Sequence, residues 1–113
     1  MQEDRLYDLA QLRELAGGNE EFVQKMVHMF ITMVPEFTGR IKDSLHQEDY
    51  EDIGSAAHKL KPSIDMLGIL SLKQKIRDLE QSGKKREHLD HLPALMAEII
   101  QELGRVCDQL ANQ

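Results

Sequence analysis

Apolar residues recur along this chain in steps of three and four, and glycines, prolines and capping residues divide that pattern into five helices. A short first helix is predicted from about Asp8 to Ala16, with Leu9, Leu12 and Leu15 on one side and Gly17 and Gly18 ending it. Asn19 then caps a long second helix, and Glu20 and Glu21 lie favourably in its first turn. Its apolar positions are Phe22, Val23, Met26, Val27, Phe30, Val34, Phe37, Ile41 and Leu45. Pro35 falls inside this periodicity and is expected to kink the helix rather than end it, because the pattern resumes in register. Asp49 is placed to cap a third helix that closes at Gly68. Ser71 followed by Gln74 matches a capping box, which opens a fourth helix with Leu72, Ile76 and Leu79 as its stripe and Gly83 as its end. A polar loop from Lys84 to His88 leads to the last helix, with Pro93 in its first turn. There Leu92, Met96, Ile99, Leu103, Val106 and Leu110 form a bundle seam. Four amphipathic helices on short connections bury their stripes most simply as an all-α, antiparallel four-helix bundle, with the short N-terminal helix covering one end or flank. The whole chain, 1–113, reads as one domain.

The third helix carries the chemistry. Ile53, Ala57, Leu60, Ile64 and Leu67 cluster within roughly 80° of arc, a core-facing stripe. His58 lies about 140° from the centre of that stripe, so its imidazole is expected to face water or a partner. Lys61 follows one turn on, offset by about 60°, whereas Lys59 points about 100° the other way. Lys61 is therefore the preferred electrostatic partner, and Lys59 the weaker candidate, with a role in the field or in docking. Gly54 and Ser55 lie one turn before His58 and Pro62 one turn after, a run of small residues expected to let another protein come close to the ring. Pro62 also removes the amide that would bond the His58 carbonyl.

Composition narrows what this histidine can do. The chain has 113 residues and a net charge of −6, with no tryptophan, enough for one hydrophobic core. No stretch approaches the roughly 20 apolar residues of a membrane span. The acidic start, Met1 to Arg5, lacks the order of a signal peptide. The single cysteine, Cys107, cannot form an internal disulfide, fits a reducing cytoplasm and borders the last apolar stripe as a partly buried thiol. The only basic run, Lys84 to Arg86, falls in a loop, and no basic face with interleaved aromatics argues for nucleic acid. Gly17 and Gly18 lead into a cap rather than a phosphate cradle, so no site for ATP is expected. His88 and His91, with Asp90 between them, have a metal-ligand spacing but no third ligand, and read as solvated side chains; no metal site is expected. His28 and His46 need only surface or boundary positions, and the six methionines read as core filler.

An imidazole with an ordinary pKa near 6.5 is largely neutral at neutral pH and keeps a lone pair on one ring nitrogen. It can attack an activated phosphoryl group to form a phosphohistidine, whose added negative charge a nearby cation stabilises. With no nucleotide site in the chain, the phosphoryl group must arrive from another protein.

These residues resemble the histidine-containing phosphotransfer (HPt) domains of bacterial and fungal phosphorelays. Leu6 through Asn19, Phe22 and Phe30 are similar to the family's N-terminal pattern, and Ala57-His58-Lys59-Leu60-Lys61 to its signature. Leu67-Gly68 and Leu79-Glu80 fall where the family has its helix end and its fourth-helix leucine-acid pair. The resemblance implies that His58 accepts a phosphoryl group from the aspartyl phosphate of a response-regulator receiver domain and passes it to another receiver. It implies that Lys61 steadies the phosphoryl oxygens, and that the domain is a phosphocarrier without a cofactor of its own, magnesium being held by the receiver. The implied partners are receiver domains and a hybrid sensor histidine kinase, with no nucleic acid and no membrane insertion. The implied state is a cytoplasmic monomer, free-standing or part of a larger membrane-anchored sensor kinase. The family docks its partners around the exposed histidine, on the first helices and the third. The family usually has glycine after the second lysine; here it is Pro62. Glu80 matches a position where some members place a polar side chain near the active histidine. The alternatives are a receiver-binding adaptor that carries no phosphate and, further off, a metal-binding bundle built on His88 and His91.

Overall fold

The computed structural model describes residues 4–113; Met1 to Glu3, the beginning of the acidic N-terminal stretch, lie outside them. Five helices follow one another: α1 (Ala10–Leu15), α2 (Glu20–His46), α3 (Tyr50–Met66), α4 (Leu70–Lys85) and α5 (Leu92–Ala111). Asn19 Oδ1 accepts from the Phe22 amide at 3.1 Å, and Asp49 Oδ1 from the Asp52 amide at 3.2 Å, so both side chains cap the helices assigned to them. Gly17, Gly18 and Gly68 take positive φ, the backbone turn that stops α1 and α3. Pro35 and Pro62 both lie inside unbroken helices.

Two helix ends differ from the sequence reading. α4 starts at Leu70 behind Ile69, with no side-chain cap, so Ser71 is already inside the helix and the Ser71–Gln74 capping box does not form. Gly68 has set the chain direction by then, and Ile69, fully buried, holds the entry in place of a cap. At the other end Gly83 does not stop α4, which runs on to Lys85 and ends where Arg86 takes a left-handed φ of 54°. Gly83 stays helical because it is buried against α3.

The helices α2 to α5 form the four-helix core, lined by Phe30, Ile41, Ile53, Leu60, Ile64, Leu72, Ile76, Ile99 and Leu103. α1 and the segment before it lie over one end. The Asp8 amide donates to the Leu67 carbonyl at 2.9 Å, the Leu6 amide to Gln109 Oε1 at 2.8 Å, and Tyr7 and Leu9 are buried. A side chain at Gly68 would strike the Asp8 backbone, 2.7 Å from its carbonyl oxygen, so that glycine serves both the turn and the packing of the N-terminal segment.

Some apolar positions face outward. Leu15, expected beside Leu9 and Leu12, is exposed, as are Phe22 and Met29 on α2. Among the described methionines Met96 alone is in the core; Met26, Met33 and Met66 are half-buried against it, so core filling describes only part of the set.

Candidate functional site

α3 presents His58 to solvent, its side chain 61% exposed, while Ala57 and Leu60 on either side are buried. The phase predicted from the apolar stripe is the phase observed. What the stripe could not foretell is the wall beside the ring. α4 lies against α3 so closely that a Cβ on Gly83 would come within 2.5 Å of the Gly54 nitrogen and 2.6 Å of the Tyr50 carbonyl. Gly54 is accordingly buried under α4 and does not thin the exposed face around His58, contrary to the sequence reading. Ser55 and Pro62 do remain exposed there.

That close approach places Glu80, on α4, under the imidazole. Glu80 Oε2 lies 2.5 Å from His58 Nδ1, and Glu80 Oε1 accepts from Lys61 Nζ at 2.8 Å. Lys84, one turn further along α4, donates to Oε2 at 3.0 Å. The Glu80 side chain is only 13% exposed. The hydrogen bond from Lys61 is the chief force holding its carboxyl low, at about 2; burial opposes this, and Lys84 and then His58 add to it. An ionised carboxylate can only accept, so the nitrogen facing it must carry the proton. Nδ1–H therefore donates to Glu80, which leaves Nε2 as the nitrogen that carries the lone pair when the ring is neutral.

The two lysines of the signature part company. Lys61 turns towards α4 and is half-buried on Glu80, whereas Lys59 is exposed on the other flank of His58. Lys59 lines a groove of about 110 Å³ between α2 and α3 with Met33, Glu36, Phe37 and Arg40. The far end of this flank is tied by Arg40, which pairs with Asp52 at 2.7 Å, and by Ser44, whose hydroxyl donates to the same carboxylate at 2.6 Å. Arg40 and Ser44 hold the Asp52 carboxyl down at about 2.

Other singled-out residues lie away from this site. His88 and His91 are exposed, and among the described residues no group of three or more histidine, cysteine or acidic side chains is arranged to hold a metal. Cys107 is half-buried, and burial pushes its thiol up to about 11. Among the described residues no helix is long and apolar enough to cross a membrane. Lys84, expected in a loop from its polar run, belongs to the last turn of α4. The spacing of Glu80 and Lys84, four apart with the acid first, was the available signal for it.

The model of the Hpt domain family matches residues 25–112, a span that contains the long helix α2 from its second turn, the histidine of α3 and the acid of α4. The chain belongs to the Hpt domain family. This Hpt domain is 29% identical over 100 residues to the signal transduction histidine-protein kinase BarA of Shigella flexneri, and 27% identical over 100 residues to BarA of Escherichia coli K12. Each match takes in 86% of the chain and 11% of the kinase, so the chain spans about a tenth of the length of these relatives. In fold it is similar to the crystal structure of histidine-containing phosphotransfer protein B (HptB) from Pseudomonas aeruginosa PAO1, with a TM-score of 0.84, 22% identity, and coverage of 97% of this chain and 95% of that one. As an Hpt domain the chain is a phosphotransfer intermediate of two-component signalling, a phosphocarrier.

Proposed function

We propose that His58 is the residue that carries the phosphoryl group, accepting it from a receiver-domain aspartyl phosphate and passing it to a second receiver. The observation that carries this reading is the division of labour between the ring nitrogens: Nδ1 is held by Glu80 at 2.5 Å, while the side chain stays 61% exposed and Nε2 has no hydrogen-bond partner among the described residues. In the transfer the Nε2 lone pair attacks phosphorus, the N–P bond forms, the P–O bond to the receiver's aspartate breaks, and the aspartate leaves as a free carboxylate. Nδ1 keeps its proton throughout, so the phosphorylated ring is formally an imidazolium, and its positive charge falls against the Glu80 carboxylate. Reversal of the same step hands the group on.

Lys61, held on Glu80 Oε1, keeps that carboxylate ionised and adds positive field beside the ring. Lys59 faces the groove on the α2 side and acts in docking rather than on the phosphoryl group. The partners are receiver domains, one of them within a hybrid sensor kinase, a reading supported by the similarity to part of a histidine-protein kinase. The domain works in the cytoplasm, by itself or as the cytoplasmic part of such a kinase, and it needs no metal of its own, since magnesium resides in the receiver.

Incubation with a phosphorylated receiver is expected to give acid-labile label on the wild type and none on His58→Gln. Receiver binding without any label would instead favour the adaptor alternative.

A further inference from the structure

Glu80 is one carboxylate facing two ammonium groups. With His58 neutral, Lys61 and Lys84 exceed it by one positive charge, and no other acid among the described residues is paired with either lysine. The two cations are held differently. Lys61 has Oε1 to itself and is 28% exposed, whereas Lys84 shares Oε2 with the His58 ring and is 49% exposed. The stem of Lys84 runs across Gly54, where a Cβ would come within 2.9 Å of the Lys84 Cγ, so the missing side chain lets it lie along α3 one turn before His58. Its head group is thus guided to the ring while remaining open to solvent.

We propose that Lys84 passes from Glu80 to the phosphoryl oxygens when His58 is phosphorylated, and that it sets the lifetime of the phosphohistidine. This rests on His58 being the phosphoacceptor. Phosphorylation at Nε2 makes the ring cationic, which strengthens the hold of Nδ1–H on Oε2, the oxygen that Lys84 shares. The same event delivers a phosphoryl group with up to two negative charges beside a site with surplus positive charge. Lys61 keeps its own oxygen and stays; Lys84, the more exposed and the competitor for Oε2, is the one released.

The test uses phosphoramidate as phosphoryl donor, because so small a donor has no docking surface, and follows label retention and the phosphorus NMR titration of the phosphoryl group. Lys84→Gln is expected to shorten retention by about three- to tenfold and to raise the pH at which the phosphoryl group titrates, and Lys84→Arg to restore both. A lysine that merely braced Glu80 would leave that titration unmoved. Label confined to His58, with wild-type lifetime and titration in Lys84→Gln, overturns the role of Lys84 and leaves His58 standing. A wild type that takes no label, or label that persists in His58→Gln, overturns both.

Discussion

His58 stands between two unlike flanks. Towards α4 the backbones meet at Gly54 and Gly83, and the acid and both lysines of the site are fixed by contacts of 2.5 to 3.0 Å. Towards α2 the helices diverge enough to leave a groove lined by Met33, Phe37 and Leu60, closed at its far end by the Arg40–Asp52 pair. One flank fixes a tautomer and a charge, and tolerances there are a few tenths of an ångström. The other offers a largely apolar groove beside Lys59, which pairs with no acid among the described residues. A carrier that must present one nitrogen in a constant pose, yet meet more than one partner, is served by this asymmetry: the chemistry is set by the rigid side and the encounter is left to the open one.

The largest effect is expected from parting the rigid flank. In Gly83→Val the added carbons meet backbone atoms of Gly54 and Tyr50, which cannot move aside as a flexible side chain could. The expected loss is about 3 kcal/mol of stability in chemical denaturation. Gly39, exposed in α2 with nothing within 4 Å of a Cβ, is the matched control. Gly39→Ala is expected to gain about 0.5–1 kcal/mol, the ordinary helix preference for alanine. Equal effects at the two glycines would mean that the contact between α3 and α4 does not govern the fold.

The same pair of glycines shows where sequence reasoning ends. The exposure of His58 was legible because it is a property of one helix, given by the phase of Ile53, Ala57, Leu60 and Ile64. The role of Gly83 was not, because a glycine before a basic polar run has the local signature of a helix stop, and only packing against Gly54 reveals it as a spacer. Likewise Ser71 and Gln74 have the right spacing for a capping box, but the turn at Gly68 starts α4 two residues too early for it, with Ile69 rather than Ser71 at the N-cap. Glu80 could be named as a position, whereas its bond to Nδ1 depends on how far α4 sinks towards α3. Single-helix facts were readable; distances between helices were not.

A smaller effect compares the two flanks by acid. Glu80 is held at about 2 against an ordinary 4.5, and Asp52 at about 2 against 3.8. Both carboxyls are depressed in the folded state, so each contributes stability that is complete above its ordinary value and is lost as pH falls towards 2. The less exposed Glu80 is expected to contribute roughly 1–2 kcal/mol across this window, and Asp52, about a third open to solvent, less. Denaturation curves between pH 5 and 2 (an experimental range of about three pH units) are therefore expected to flatten more in Glu80→Gln than in Asp52→Asn. The reverse order would place the electrostatic weight on the α2 side.

The finest distinction concerns the two signature lysines, since each belongs to a different flank. Lys61 is half-buried on Glu80, so Lys61→Ala removes the main support of an ionised carboxylate that faces the ring. Phosphoryl retention is expected to fall about threefold, and by the same factor whether the donor is phosphoramidate or a receiver, because the loss acts on the ring itself. Lys59 touches neither Glu80 nor the described network around the ring. Lys59→Ala is expected to leave retention unchanged with the small donor and to slow transfer from a receiver by about threefold at low salt, an effect that added salt erases. The contrast between donors is what separates the flanks: an effect of Lys59→Ala with phosphoramidate would put that lysine on the phosphoryl group, and the open flank would then share in the chemistry assigned to the closed one.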